Sequence, residues 1–120
     1  MTSVETKSLD KPDEVRTRDR MNVDVVNLGG ASVARFTLEP GWTWEECVKP
    51  VVGTETCQAA HLGYVVSGTL HVRAEDGTEA DAQAGDSYRL DPGHVAWVVG
   101  DETFVGVEFE SETADTYAKG

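Results

Sequence analysis

Short runs of alternating apolar and polar residues, each closed by glycine or proline, make up most of this chain. From Met21 to Leu28 the alternation puts Val23 and Val25 on one face. Gly29-Gly30 makes a turn, and from Ala31 to Leu38 the residues Ala34, Phe36 and Leu38 share a face. A period of two marks a half-buried strand. Pro40-Gly41 turns the chain into Trp42 to Val48, and Pro50 to Thr56 reads as a loop. His61 to Val66 and Thr69 to Ala74 are predicted to pair as strands around Ser67-Gly68. Glu75-Asp76-Gly77-Thr78 is a hairpin turn of the Asp-Gly kind. Gly85-Asp86 and Pro92-Gly93 bracket another strand. Val95 to Val99 and Thr103 to Phe109 complete the series, joined at Gly100-Asp101-Glu102. No longer segment has a helical period. About eight short strands with turns roughly every ten residues predict an all-β antiparallel sandwich or barrel.

At 120 residues the chain fits one domain. The barrel is expected over residues 21–110, between a polar N-terminal arm over 1–20, where Pro12 breaks any helix, and an acidic tail over 111–120. Residues 1–20 contain no apolar run of the signal-peptide type, so a cytoplasmic protein is expected. Two cysteines in that setting are expected to be reduced thiols. The net charge of -12 is uneven. Lys7, Lys11, Arg16, Arg18 and Arg20 crowd the start, while from Phe36 to Ala118 the bases are Lys49, Arg73 and Arg89. Nucleic acid and anionic membranes need clustered Lys and Arg, so neither is an expected partner. An acidic surface of this kind serves solubility.

Two segments carry the chemistry. One is His61-Leu62-Gly63-Tyr64-Val65-Val66-Ser67-Gly68; the other is Gly85-Asp86 followed by Asp91-Pro92-Gly93-His94. Each places a histidine at the end of a strand, where it can ligate a metal or move a proton near neutral pH. With Pro40-Gly41 upstream, these segments resemble the cupin superfamily of small antiparallel jelly-roll β-barrels, over roughly Val33 to Phe109. Many cupins hold a divalent metal with a His-x-His pair, a glutamate before the Tyr-Val strand, and a histidine after the Pro-Gly turn. Here those positions fall on Cys47 and Lys49, on His61, and on Ala96. His94 shares a strand face with Ala96. The chain is more similar to small bacterial single-domain cupins with Trp-x-Glu-Cys-Val-Lys-Pro, Cys-Gln-x-x-His and Pro-Gly-His segments, here Trp44 to Pro50, Cys57 to His61, and Pro92 to His94.

The resemblance implies a divalent-metal site and a small organic ligand in the barrel. The candidate ligands are Cys47, Cys57, His61 and His94, with Glu45 or Glu46 able to replace a cysteine. Two sulfur and two nitrogen donors suit zinc, with iron, manganese or nickel as alternatives. The competing reading is two buried thiols, packed as small apolar groups, and two hydrogen-bonded histidines. His94 and Lys49 are the candidate proton carriers; a buried Lys49 would have a lowered pKa, whereas at a strand end it would reach solvent. Isomerase, cyclase, hydrolase and dioxygenase chemistry all remain open, as does a non-catalytic module that binds a small ligand or metal. His71 alternates away from Leu70 and Val72 and reads as a surface residue. Trp42, Trp44 and Trp97 read as core or interface. Tyr64, Val66 and Trp97 are candidate outward apolar positions, so a homodimer is expected.

Overall fold

Residues 3–109 are described by a computed structural model, so the acidic tail lies outside the described residues. The strands are β1 (Glu14–Arg18), β2 (Met21–Leu28), β3 (Ala31–Leu38), β4 (His61–Ser67), β5 (Thr69–Ala74), β6 (Glu79–Gln83), β7 (Ser87–Leu90), β8 (His94–Val98) and β9 (Phe104–Phe109). They form a six-stranded sheet, β1-β2-β3-β9-β4-β7, and a three-stranded sheet, β6-β5-β8. Every pairing among them is antiparallel. The sheets face each other as a jelly roll and are not hydrogen-bonded into a closed ring.

The predicted alternation sets the core. Val23 pairs with Phe36 and Val25 with Ala34 across β2 and β3, and all four are buried. Val65 of β4 and Phe104 of β9 extend that inner face. Leu70, Val72, Ala96 and Val98 of the smaller sheet close over it. Period-two burial on both sheets therefore leaves a slot between them.

Three local expectations change. First, part of the polar arm is a strand. Glu14 to Arg18 pairs with β2 from Glu14↔Val25 to Arg18↔Met21. Glu14, Arg16 and Arg18 lie on its half-buried face and Val15 and Thr17 on its exposed one, so no buried apolar stripe announces it. What holds it is the backbone ladder and the tight turn at Asp19-Arg20, where Arg20 has φ 56°. Upstream, the Arg35 guanidinium holds the arm by donating to the Asp10 carboxylate at 2.9 Å and the Leu9 carbonyl at 3.1 Å. Second, the stretch after Trp42 is helical rather than extended: α1 (Trp44–Cys47) and α2 (Lys49–Val52). Thr43 caps α1 by accepting from the Glu46 backbone N–H at 3.1 Å, the Thr-x-x-Glu arrangement of a helix start. Pro50 fits the first turn of α2, where no N–H is needed.

Third, Ser67-Gly68 is a crossing between sheets, not a hairpin: β4 pairs with β7 and β9, while β5 pairs with β6 and β8. Gly68 makes that crossing at φ +78°, and a Cβ there would lie 2.6 Å from the Thr103 carbonyl oxygen and 2.7 Å from Phe104 Cα. Both the left-handed backbone and the contact demand glycine. Gly68→Ala is expected to cost about 2–3 kcal/mol from backbone strain and displaced backbone together. Thermal unfolding checks this, and an unchanged midpoint would contradict the crossing.

Candidate metal centre

Both sheets deliver a histidine to the same end of the slot. His61 opens β4 and pairs with Leu90 of β7. Along β4 the inward residues are His61, Gly63 and Val65, and Leu62, Tyr64 and Val66 point outward. His94 opens β8 opposite Ala74 of β5, on the same inward parity as Ala96 and Val98. The His61 and His94 rings meet edge to face, centroids 5.1 Å apart.

Cys57 reaches them from the loop before β4 through a two-way backbone bridge to His94. The Cys57 N–H donates to the His94 carbonyl at 2.7 Å, and the Cys57 carbonyl accepts from the His94 N–H at 3.3 Å and from the Gly93 N–H at 2.7 Å. Its Sγ then lies 3.7 Å from His61 Nε2. One ligand atom from each of Cys57, His61 and His94 lies within 4.8 Å of the others.

The outer nitrogens are tied down. His94 Nδ1–H donates to the Asp91 carbonyl at 2.7 Å. His61 Nδ1–H donates to Glu108 Oε1 at 2.7 Å. The other carboxylate oxygen, Glu108 Oε2, accepts from the Tyr88 hydroxyl at 2.8 Å. With Nδ1 engaged in both rings, Nε2 is the nitrogen left for the site, the arrangement that orients histidines toward a metal. Glu108 is buried on β9, on the inward parity of Phe104 and Gly106. Room for the Tyr88 phenol comes from Gly63 and Gly106: a Cβ at either would lie 2.7 or 2.9 Å from the Tyr88 oxygen.

The electrostatics follow from this chain. Burial pushes the Cys57 thiol up, but hydrogen bonds from His61 and His94 and the His61 charge outweigh it, and the pKa falls to about 6. Burial pushes His61 down, but its bonds to Cys57 and Glu108 and their charges prevail, and it rises to about 9. The pair titrates together. Burial, and then the Glu108 charge, hold Tyr88 well above the usual phenol range.

The remaining expected ligands and proton carriers stand elsewhere. Cys47 sits in α1, buried, with Sγ 3.7 Å from Asp19 Oδ2, and burial pushes its thiol up. The cupin position that suggested Cys47 falls here on the short helix α1, and Cys47 is not among the donors gathered around Cys57. Glu45 and Glu46 are exposed on the same turn. Lys49 is not a buried base: it pairs with Glu55 at 2.9 Å near the surface, and that bond raises its pKa. His71 lies on the outer face of the small sheet between Asp81 and Glu79, at 2.6 and 2.7 Å, stacked on Trp97. Trp97 is therefore covered by His71, with Arg73 over its ring at 5.5 Å.

Beside the triad lies a cavity of about 60 Å³, walled by apolar and aromatic groups including Phe36, Leu38, Trp42, Trp44, Leu70 and Phe104, with Cys57, His61, His94, Tyr88 and Glu108 at its polar end. This volume holds a few waters or a small ligand.

Among solved structures the chain is similar to an RmlC-like cupin from Shewanella frigidimarina, with TM-score 0.59 and 15% identity, covering 92% of this chain and 94% of that one. The fold is that of the cupin superfamily. The chain is also similar to an uncharacterized conserved protein with a double-stranded β-helix domain from Klebsiella pneumoniae, with TM-score 0.57 and 21% identity over 89% of each chain. A structural-genomics protein of unknown function from Rhizobium leguminosarum has TM-score 0.65 and 19% identity, covering 90% of this chain and 96% of that one. No family model matches the sequence, and no curated protein matches it. In this cupin fold no helix among the described residues is long and apolar enough to cross a membrane.

The donors present fit a divalent metal. One thiolate and two imidazoles are borderline-soft ligands of the kind zinc takes. The 3.7 Å between Cys57 Sγ and His61 Nε2 is close to the roughly 3.5 Å between two tetrahedral zinc ligands implied by ordinary bond lengths. Because His61 carries a proton up to about pH 9, that proton must leave when a metal binds. Zinc affinity is therefore expected to rise about tenfold per pH unit between roughly pH 6 and 9, with one proton released per metal, and more steeply below 6, where the thiolate is lost too. Zinc titrations at several pH values, in buffers of different ionisation enthalpy, check the slope and the proton count; a flat profile would contradict it.

Proposed function

We propose that this protein is a metal-dependent cupin acting on or binding a small organic molecule, with Cys57, His61 and His94 as the protein ligands of a zinc ion. The observation that carries the reading is the convergence of those three donor atoms beside a cavity. Cys47 is left out of the ligand set because of its place in α1. Three protein ligands leave a position for water or substrate, the pattern of a catalytic rather than a structural zinc. Zinc in such a position supplies Lewis-acid polarisation of a substrate oxygen or an activated water.

The chain's own groups do the rest. Glu108 accepts from His61 Nδ1–H and keeps Nε2 turned toward the site. Tyr88 fixes the far side of that carboxylate. The Asp91 carbonyl does the same service for His94. Burial of the His61 and Glu108 side chains strengthens the electrostatic contact between them. A redox-inert ion favours isomerisation or hydrolysis over oxygen chemistry. Metal analysis of protein purified without added metal tests the reading. About one zinc per chain is expected, and Cys57→Ala is expected to lose it while Cys47→Ala keeps it. A metal-free preparation that also fails to take up added zinc would refute it.

A second reading rests on the same geometry. Cys57, His61 and Glu108 stand in the order thiol, imidazole, carboxylate, the arrangement of an activated nucleophile, its base and the group that orients the base. It is favoured over the first if the purified protein is metal-free and Cys57 alone is alkylated rapidly.

We also propose that two copies pair through the outer face of the larger sheet. Leu62, Tyr64 and Val66 of β4 are 56%, 46% and 53% exposed, and Phe109 of β9 is exposed beside them. A contiguous apolar face of this sort is usually covered by a partner. Light scattering at micromolar concentration should give twice the chain mass, and Tyr64→Glu should halve it. A monomer mass for the unaltered protein would end the proposal.

A further inference from the structure

Leu90 stands between two cavities. The inner one, beside Cys57, His61 and His94, is about 60 Å³. An outer one of about 440 Å³ is walled by residues of β5, β6 and the turns that follow β5 and β7. Two of the described residues line both: His94, already placed in the metal centre, and Leu90. Leu90 ends β7 with the inward parity of Tyr88, so its side chain belongs to the slot.

The two cavities differ in chemistry. Met21, Phe36, Leu38, Leu70 and Phe104 wall the inner one, and among the described residues no Lys, Arg, Ser, Thr, Asn or Gln lines it. Its buried polar groups at Tyr88 and Glu108 are bonded to each other and to His61. The outer cavity is lined mostly by exposed residues, Thr78, Glu79, Arg89 and Asp91 among them, so it is open to water. Every described residue lining the inner cavity is buried except Cys57, His61 and Leu90. Cys57 and His61 are held by the bonds of the metal centre. Leu90 is the remaining half-buried wall, an apolar side chain between an apolar chamber and an aqueous cleft. An alkyl group suits such a chamber, whereas a charged or hydroxylated tail would be buried there without hydrogen bonds.

We propose that Leu90 is a specificity-determining residue: its side chain closes the inner cavity toward the outer one and sets the greatest length of an aliphatic molecule held beside the metal centre. The inference deepens the small-molecule reading of this site and rests on it. It assigns the ligand class, a short straight-chain compound with one polar head at the Cys57-His61-His94 end and an uncharged alkyl tail. The volume admits a tail of roughly three or four carbons. A longer tail must displace Leu90.

The test is run on the full chain with ¹³C-labelled methyl groups, metal-free, titrated with straight-chain primary alcohols from ethanol to octanol. The methyls of Met21, Leu38 and Leu70 report the inner cavity, and those of Val51, 59% exposed on α2, are the control. In the unaltered protein the inner methyls are expected to shift saturably and the Val51 methyls to stay in place. Affinity should rise about fourfold per added methylene up to roughly butanol and fall beyond it. Leu90→Ala joins the two cavities, so the rise should continue to hexanol or beyond. Leu90→Val, a smaller truncation, should move the maximum by about one carbon, and it decides the outcome if Leu90→Ala fails to fold. No saturable shift with any alcohol, or a maximum that stays at the same length in a folded Leu90 variant, would overturn the proposal. The series is then repeated with zinc. If the maximum follows residue 90 while zinc fails to bind, the metal reading falls and this one stands; if zinc binds while the maximum ignores residue 90, the reverse holds.

Discussion

In the proposed metal centre, His61→Ala is expected to abolish zinc binding while leaving the jelly roll folded. The substitution removes one of three donors and the link between the site and Glu108. Losing an outer-shell partner alone costs roughly 10–100-fold in metal affinity, so losing a ligand together with that partner should cost at least about a hundredfold. The fold should persist at a cost of about 1–3 kcal/mol for the buried Glu108 oxygen left without His61, because His61 sits at the first position of β4, where its pairing partner is Leu90, and the inward residues that follow it are Gly63 and Val65. Zinc content after dialysis and a competitive chelator titration measure the effect, with circular dichroism as the folding control. Full zinc occupancy in a folded His61→Ala protein would remove His61 from the ligand set.

Glu108 separates positioning from simple stability. Glu108→Ala strands the Tyr88 hydroxyl and the His61 Nδ1–H together, both buried. At about 1–3 kcal/mol for each unmade bond, the protein should lose about 2–6 kcal/mol, enough to lower its melting temperature by roughly 10 °C or more. Glu108→Gln keeps an oxygen for His61 and a group for Tyr88, so it should fold nearly as well. It removes the charge that helps raise His61 to about 9, so the imidazole of the variant loses its proton at lower pH. Two effects then oppose each other. The metal-bound histidine is a poorer donor, and the competing proton is held less tightly. At pH about 9, where the competing proton is already leaving the unaltered protein, the donor effect dominates and zinc affinity should fall about 10–100-fold. Between pH 6 and 9 the variant's affinity should depend less on pH. A group with only a structural role would leave the shape of that profile unchanged.

Much of this architecture is legible in the sequence. The alternation of Val23 and Val25, then Ala34, Phe36 and Leu38, identifies paired strands and their buried faces, because a half-buried sheet imposes a period of two. For the site the resemblance supplies most of the case: His61 falls on the cupin glutamate position, and His94 shares a strand face with Ala96, the cupin histidine position. Cys47 enters the expected ligand set through the cupin His-x-His position, and in this chain that position lies on α1. The Thr43-x-x-Glu46 cap was in the sequence, but a helix of four residues has too few turns to show a period. The bond between Cys57 and His94 is a backbone bridge between distant segments, which no local pattern reveals. Glu108 left a trace, a charge on the same parity as Phe104 and Gly106, but its meaning depends on β9 lying beside β4, which only the sheet order supplies. Strand β1 left almost none, since an edge strand held by its backbone ladder needs no apolar side chains.

The central claim is that Cys57, His61 and His94 together bind one zinc ion. X-ray absorption at the zinc edge of the loaded protein addresses it directly. One sulfur at about 2.3 Å and two imidazole nitrogens at about 2.0–2.1 Å are predicted, with a light scatterer completing the shell. The spectrum should be unchanged in Cys47→Ala, and its sulfur contribution absent in Cys57→Ala. A shell made only of oxygen and nitrogen in the unaltered protein, or sulfur that vanishes with Cys47 instead of Cys57, would contradict the account.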